Sequence, residues 1–239
     1  MPRKVLILGG TKEARMLANR LLRVGLDVTS SFAGVTENPI SPEGKIRKGG
    51  FGGVDGLRKY LADEAIDVLV DATHPFAAVI SAHAAEACPS VMRLERPAWS
   101  PLPQDIWIIV EDNEVALAAL PSGAKVMLTI GRKEVAVFTS RSDLAGVMRM
   151  IEPPAEPLPA SWKLLLERPP FTVAAEMAVM KQYSVTHLLT KNAGGRETAA
   201  KLEAARSLGL PVIIIARPFK PTVETYTTVD AIAAAIASR

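Results

Sequence analysis

Asp71-Ala-Thr-His-Pro-Phe76 sets a hydroxyl and an imidazole directly behind the apolar run Asp67-Val-Leu-Val-Asp71. In an open parallel sheet, ligands sit beyond the carboxyl ends of the strands, so Thr73 and His74 are candidates to face a bound cofactor. An imidazole titrates near neutrality. His74 can therefore serve as a proton donor, as a hydrogen-bond partner to a nicotinamide carboxamide, or as a cap on the helix that follows. Pro75 suits the first turn of that helix. A second stretch with chemical content is Lys4-Val-Leu-Ile-Leu-Gly-Gly-Thr-Lys-Glu-Ala14: apolar strand, paired glycines, then a helix with Ala14, Leu17, Ala18, Leu21 and Leu22 on one face. Strand, glycine turn and helix together bring a diphosphate to a helix N-terminus, where the dipole favours negative charge. Set against G-x-G-x-x-G/A, the matching positions are Gly9, Thr11 and Ala14, with threonine in place of the middle glycine. Gly9 is then expected to make the tight turn and Ala14 to allow close helix–strand packing. Thr11 offers a hydroxyl to a phosphate or to the helix as a cap. The same pattern also suits a ligand-free turn.

A second strand, Leu26 to Phe32, ends in Ser30 and Ser31 and carries no acid there. An acid at this place binds a ribose 2′-hydroxyl and repels a 2′-phosphate. Its absence favours NADP(H) over NAD(H), with the two hydroxyls and Arg47 or Lys48 receiving the phosphate; the other reading is a strand end that touches nothing. Gly49-Gly-Phe-Gly-Gly53 follows Lys48. Glycines there, Gly52 among them, let backbone approach a ligand closely or simply form a flexible bend.

The elements that must position these groups alternate strand and helix along the whole chain. Alternation restarts after Trp107-Ile-Ile-Val110 and a short helix capped by Asn113. The boundary is accordingly expected near residue 112, with a dinucleotide-binding domain over residues 1–112 and a second domain over residues 113–239. In the second half, Lys125-Val-Met-Leu-Thr129 runs into Gly131, Arg132 and Lys133. Thr186-His-Leu-Leu-Thr-Lys-Asn-Ala-Gly-Gly195 repeats strand, polar turn and paired glycines. An edge strand near Tyr226 and a closing helix over residues 231–237 complete the pattern. Both halves read as open α/β sheets.

A chain of 239 residues, 49% hydrophobic and 22% charged, suffices for two such cores. No apolar run reaches the roughly 18 residues of a membrane helix, and no signal-peptide core precedes the first strand. One cysteine, Cys88, excludes an internal disulfide and fits a cytoplasmic protein. A net charge of +3 without a basic run argues against nucleic acid and suits an anionic small molecule. Three scattered histidines and no Cys-x-x-Cys give no metal site. A monomer or small homo-oligomer is expected.

The ordered set Gly9-Gly-Thr-Lys-Glu13, Ser31-Phe-Ala-Gly34, Gly49-Gly-Phe-Gly-Gly53, Asp71-Ala-Thr-His-Pro-Phe76, Arg96-Pro-Ala-Trp99, Thr129-Ile-Gly-Arg132, Lys191-Asn-Ala-Gly-Gly195 and Arg217-Pro218 resembles the precorrin-6A reductase family of cobalamin biosynthesis. The resemblance runs from residue 4 to about residue 220. It implies two Rossmann-like domains with the active site in the cleft between them. It also implies NADPH-dependent reduction of one C=C bond of a corrin-precursor macrocycle bearing many carboxylates. A related enzyme of the anaerobic branch acts on the cobalt-loaded macrocycle, and a non-catalytic dinucleotide-binding module is the alternative from another class. On this reading the cofactor candidates are Gly9, Gly10, Thr11, Glu13, Ser30, Ser31, Gly52, Thr73 and His74. Candidates for the substrate are Arg96, Arg132, Lys133, Lys191, Asn192, Gly194, Gly195 and Arg217; Arg93 and Lys220 also lie at strand ends. His74 is the candidate proton donor, with Lys191 or water as rivals.

Overall fold

Among the described residues the chain builds two sheets, each six-stranded and wholly parallel.

 The computed structural model describes residues 2–34 and 42–238.

The first sheet holds β1 (Lys4–Leu8), β2 (Asp27–Phe32), β3 (Lys45–Lys48), β4 (Val68–Asp71) and β5 (Met92–Leu94), with α1 (Lys12–Arg23), α2 (Gly53–Asp63) and α3 (Ala78–Ala87) as crossovers. Strands buried on both faces read as continuous apolar runs, and Val5, Leu6 and Ile7 are fully buried. Successive side chains leave a strand on opposite faces. Val5 and Ile7 join Leu17 and Leu21 of α1 in one core, while Leu6 and Leu8 join Leu57 of α2 and Ala84 of α3 in another.

The second sheet holds β6 (Trp107–Val110), β7 (Lys125–Thr129), β8 (Ala145–Met150), β9 (Trp162–Leu166), β10 (His187–Lys191) and β11 (Val212–Ile215). Its helices are α4 (Asn113–Ala118), α5 (Val135–Thr139), α6 (Val173–Gln182) and α7 (Ala200–Ser207). Met127, Val147, Leu188 and Ile214 pack with Met180 and Leu202. Arg149 and Glu176 form a buried two-pronged pair at 2.8 and 2.7 Å, tying β8 to α6. The chain then returns to the first sheet with β12 (Glu224–Tyr226) and α8 (Val229–Ala237).

The strand orders are β12-β5-β4-β1-β2-β3 and β6-β11-β10-β7-β8-β9. Each reverses direction at a central pair, β1/β4 in one and β7/β10 in the other, and that reversal opens a crevice at the strands' carboxyl ends. The chain divides into a first unit, up to Pro97 and again from Pro218, and a second unit, Ala98–Arg217. This differs from a single boundary near residue 112. Strand β6 precedes that point yet pairs with β11, and β12 follows it yet pairs with β5. A short edge strand carries no local signal naming its partner. Similarly, Asp112 rather than Asn113 caps α4, accepting from the Val115 amide at 2.8 Å.

Candidate functional site

At the β1/β4 crevice the residue that needs to be glycine is Gly10, with φ +114. Gly9, expected to make the turn, instead sits where an added Cβ would make ordinary contacts at 3.6 Å with Ala14, Phe32 and Ser31. Thr11 caps α1: its hydroxyl accepts from the Ala14 amide at 3.1 Å and donates to the Ala72 carbonyl at 2.8 Å. One side chain thus joins the turn after β1 to the turn after β4. Glu13, in the first turn of α1, pairs with Arg96 at 2.9 Å. Thr11, Glu13, Thr73, Pro75, Glu95 and Arg96 are among the residues lining a shallow, open depression.

Asp71, at the end of β4, is 1% exposed. Its carboxylate accepts from the Thr73 hydroxyl at 2.7 Å and from Arg93 Nε at 3.0 Å. Burial pushes its pKa up, but hydrogen bonds from the hydroxyls of Thr73 and Ser81, the charge of Lys220 and the hydrogen bond from Arg93 outweigh this and hold it below its ordinary value. Arg93 also donates to the Pro221 carbonyl at 3.0 Å, and Lys220 pairs with Glu95 at 2.6 Å. Thr73 is therefore held by a buried network that the sequence did not announce.

His74 is exposed. Its Nδ1 accepts from the Phe76 amide at 3.3 Å, and its carbonyl accepts from the Ala77 amide at 2.8 Å. A neutral imidazole whose Nδ1 accepts carries its hydrogen on Nε2. Helix α3 begins only at Ala78, with no side-chain cap, so Pro75 lies ahead of the helix and His74 closes the turn instead of capping α3.

On the β2/β3 side, Ser30 and Ser31 are both buried and, as strand neighbours, point to opposite faces. Only Ser31 meets Arg47, whose Nη1 lies 3.4 Å from its Oγ. Gly52, at φ +81, is the N-cap of α2.

In the second unit, Lys191 pairs with Glu134, whose other oxygen accepts from the Gly131 amide at 3.1 Å. Arg132 pairs with Glu152 at 3.2 Å, while Lys133 is exposed and has no ion pair among the described residues. Asn192 holds the backbone of Trp99 at both its amide (2.8 Å) and its carbonyl (3.0 Å). Gly195 accepts from the Trp99 indole at 3.1 Å, Gly194 is buried, and Arg217 donates to the carbonyls of Asn192 and Ala193 at 3.0 and 3.2 Å. These groups converge on the carboxyl ends of β7 and β10. Several cations expected to meet substrate carboxylates thus already carry a glutamate of this chain.

One readable signal was missed. Lys4-Val5, Gly10 and Lys12-Glu13 recur at the same spacing as Lys125-Val126, Gly131 and Lys133-Glu134. Both glutamates reach a cation at the carboxyl end of another strand of their own sheet, Arg96 just beyond β5 and Lys191 as the last residue of β10.

A family model described as "Precorrin-6x reductase CbiJ/CobK" matches residues 4–237. The chain belongs to the precorrin-6x reductase CbiJ/CobK family. The match spans both units of the reductase fold, from the first residue of β1 to the last of α8. A precorrin-6A reductase of Rhodococcus erythropolis is 46% identical, over 98% of this chain and 96% of that protein. A cobalt-precorrin-6A reductase of Priestia megaterium is 31% identical, over 98% of each. The solved structure titled "CobK precorrin-6A reductase" superposes with a TM-score of 0.92 at 40% identity, covering 99% of this chain and 96% of that one.

Proposed function

We propose that this chain is an NADPH-dependent reductase of precorrin-6A, the metal-free macrocycle of cobalamin biosynthesis, with the cofactor held by the first unit. The observation that carries the cofactor assignment is the contrast between the two glycine turns. At Gly10 an added Cβ would meet nothing within 4 Å, and the turn leads into a twelve-residue helix. At Gly131 the amide is taken by Glu134, and the turn leads into a helix of only five residues beyond a short 3₁₀ segment. A pyrophosphate suits the first turn, whose Glu13 is turned to Arg96, and is excluded from the second by the Glu134 carboxylate already held on the Gly131 amide. Identity of 46% to a relative named for the metal-free substrate, against 31% to one named for the cobalt form, supports the metal-free assignment.

NADPH supplies the hydride when bound. The Gly9–Thr11 turn and the α1 dipole hold its pyrophosphate, and Asp71 fixes Thr73 beside that turn. His74, as the imidazolium, supplies from Nε2 the proton that the reduced macrocycle requires, and returns to the neutral ring whose Nδ1 accepts from the Phe76 amide. Lys133, Lys191, Arg132 and Arg217 answer the substrate's carboxylates, with Glu134 and Glu152 exchanged for them. The reading is tested by following NADPH oxidation with precorrin-6A and with its cobalt form. Turnover of the metal-free compound is expected. Turnover of the cobalt form alone would assign the anaerobic branch, and cofactor binding without turnover on either would leave a binding module.

A further inference from the structure

Ser31 stands opposite Arg47 in the β2/β3 register, so both side chains lie on one face of the sheet. The Arg47 guanidinium lies 3.7 Å from the centroid of the Phe51 ring. Phe51 is itself buttressed edge-on by Tyr60, with ring centroids 5.3 Å apart. Arg47 Nη1 donates to the Gly49 carbonyl at 2.6 Å and Nη2 to the Gly50 carbonyl at 2.8 Å. The bend therefore wraps the arginine, through backbone angles at Gly49 (φ +104) and Gly52 (φ +81) that side-chain-bearing residues rarely adopt.

Arg47 differs from the other crevice cations in its partners. Arg96, Lys220, Arg132 and Lys191 each pair with a glutamate. Arg47 is held by neutral carbonyls and meets no carboxylate among the described residues, so its charge is oriented without being neutralised. Its remaining donors, Nε among them, have no partner among those residues. A planar, fixed guanidinium is suited to a phosphate dianion. Lys48, by contrast, is exposed, and Ser30 points to the opposite face.

We propose that Arg47, clamped by the Gly49–Gly53 bend and stacked on Phe51, is the residue that selects a dinucleotide carrying a 2′-phosphate. This rests on the first unit being the cofactor unit. Calorimetric titration of NADPH and NADH into the wild type, Arg47→Ala, Arg47→Lys and Lys48→Ala tests it. NADPH binding is expected to weaken about tenfold or more in Arg47→Ala, with NADH affinity unchanged. Arg47→Lys should recover part of the preference, since a lysine keeps the charge but not the plane, and Lys48→Ala should keep all of it. Equal loss of both cofactors in Arg47→Ala, as a merely structural role would give, overturns the proposal, as does a preference that survives the substitution. A wild type that binds neither cofactor overturns the cofactor assignment itself.

Discussion

The Thr11 hydroxyl makes two hydrogen bonds, one closing the first turn of α1 and one reaching the Ala72 carbonyl. Thr11→Val removes both while keeping the shape, and is expected to lower stability by about 1–2 kcal/mol; Thr11→Ser should restore most of it in thermal melts. Asp71 works through charge. A carboxyl whose folded pKa is depressed stabilises the fold above its unfolded pKa, about 4, and loses that contribution as pH falls through the lower folded value. Wild-type stability should therefore drop on acidification below about pH 4. Asp71→Asn should be less stable at neutral pH by about 3 kcal/mol and flatter in that acid range, because Arg93 loses its charged partner at every pH. Urea titrations across pH measure both. For His74, the Ala and Gln variants should lose about a hundredfold in kcat with NADPH affinity little changed. Unchanged turnover in both would remove the proton-donor role.

The turn between β1 and α1 separates two reasons for a glycine. Gly10 is required by its backbone angle, since φ +114 is strained for any side chain even where space is open. Gly9 has ordinary contacts to offer a methyl group. Gly10→Ala should cost about 1–3 kcal/mol, whereas Gly9→Ala should melt close to wild type. The paired glycines were legible in the sequence, but which one bends the chain was not, because φ is fixed by how α1 docks on β1. The matching turn of the second unit shares the lysine, glycine and glutamate. It nevertheless closes on itself through Glu134 and Gly131.

Across the whole molecule, the first unit is finished by the last residues of the chain. Ile232 and Ile236 of α8 are fully buried in the core that holds Val5 and Leu17, and Arg3 donates to the Ile236 carbonyl at 2.6 Å. Ile236→Ala is expected to destabilise this unit by about 2–5 kcal/mol. Amide exchange should then quicken in β1 and β4 while β7 and β10 keep their protection, because each unit has its own core.

The sequence by itself determined the two parallel sheets, the glycine turn ahead of α1 and the placing of Thr73 and His74 after β4. Local apolar runs, turn residues and helical periodicity carry that information within a few residues. Only the tertiary structure decided that β6 and β12 each join the sheet beyond the expected boundary. It alone paired Asp71 with Arg93 and gave Arg47 neutral partners while Arg132 and Lys191 received glutamates. The ion pairs join residues about twenty or more apart in the chain, and Arg47 meets nearby carbonyls only because the Gly49–Gly53 bend folds back over it; a side chain's charge partner is set by which strand ends and turns meet.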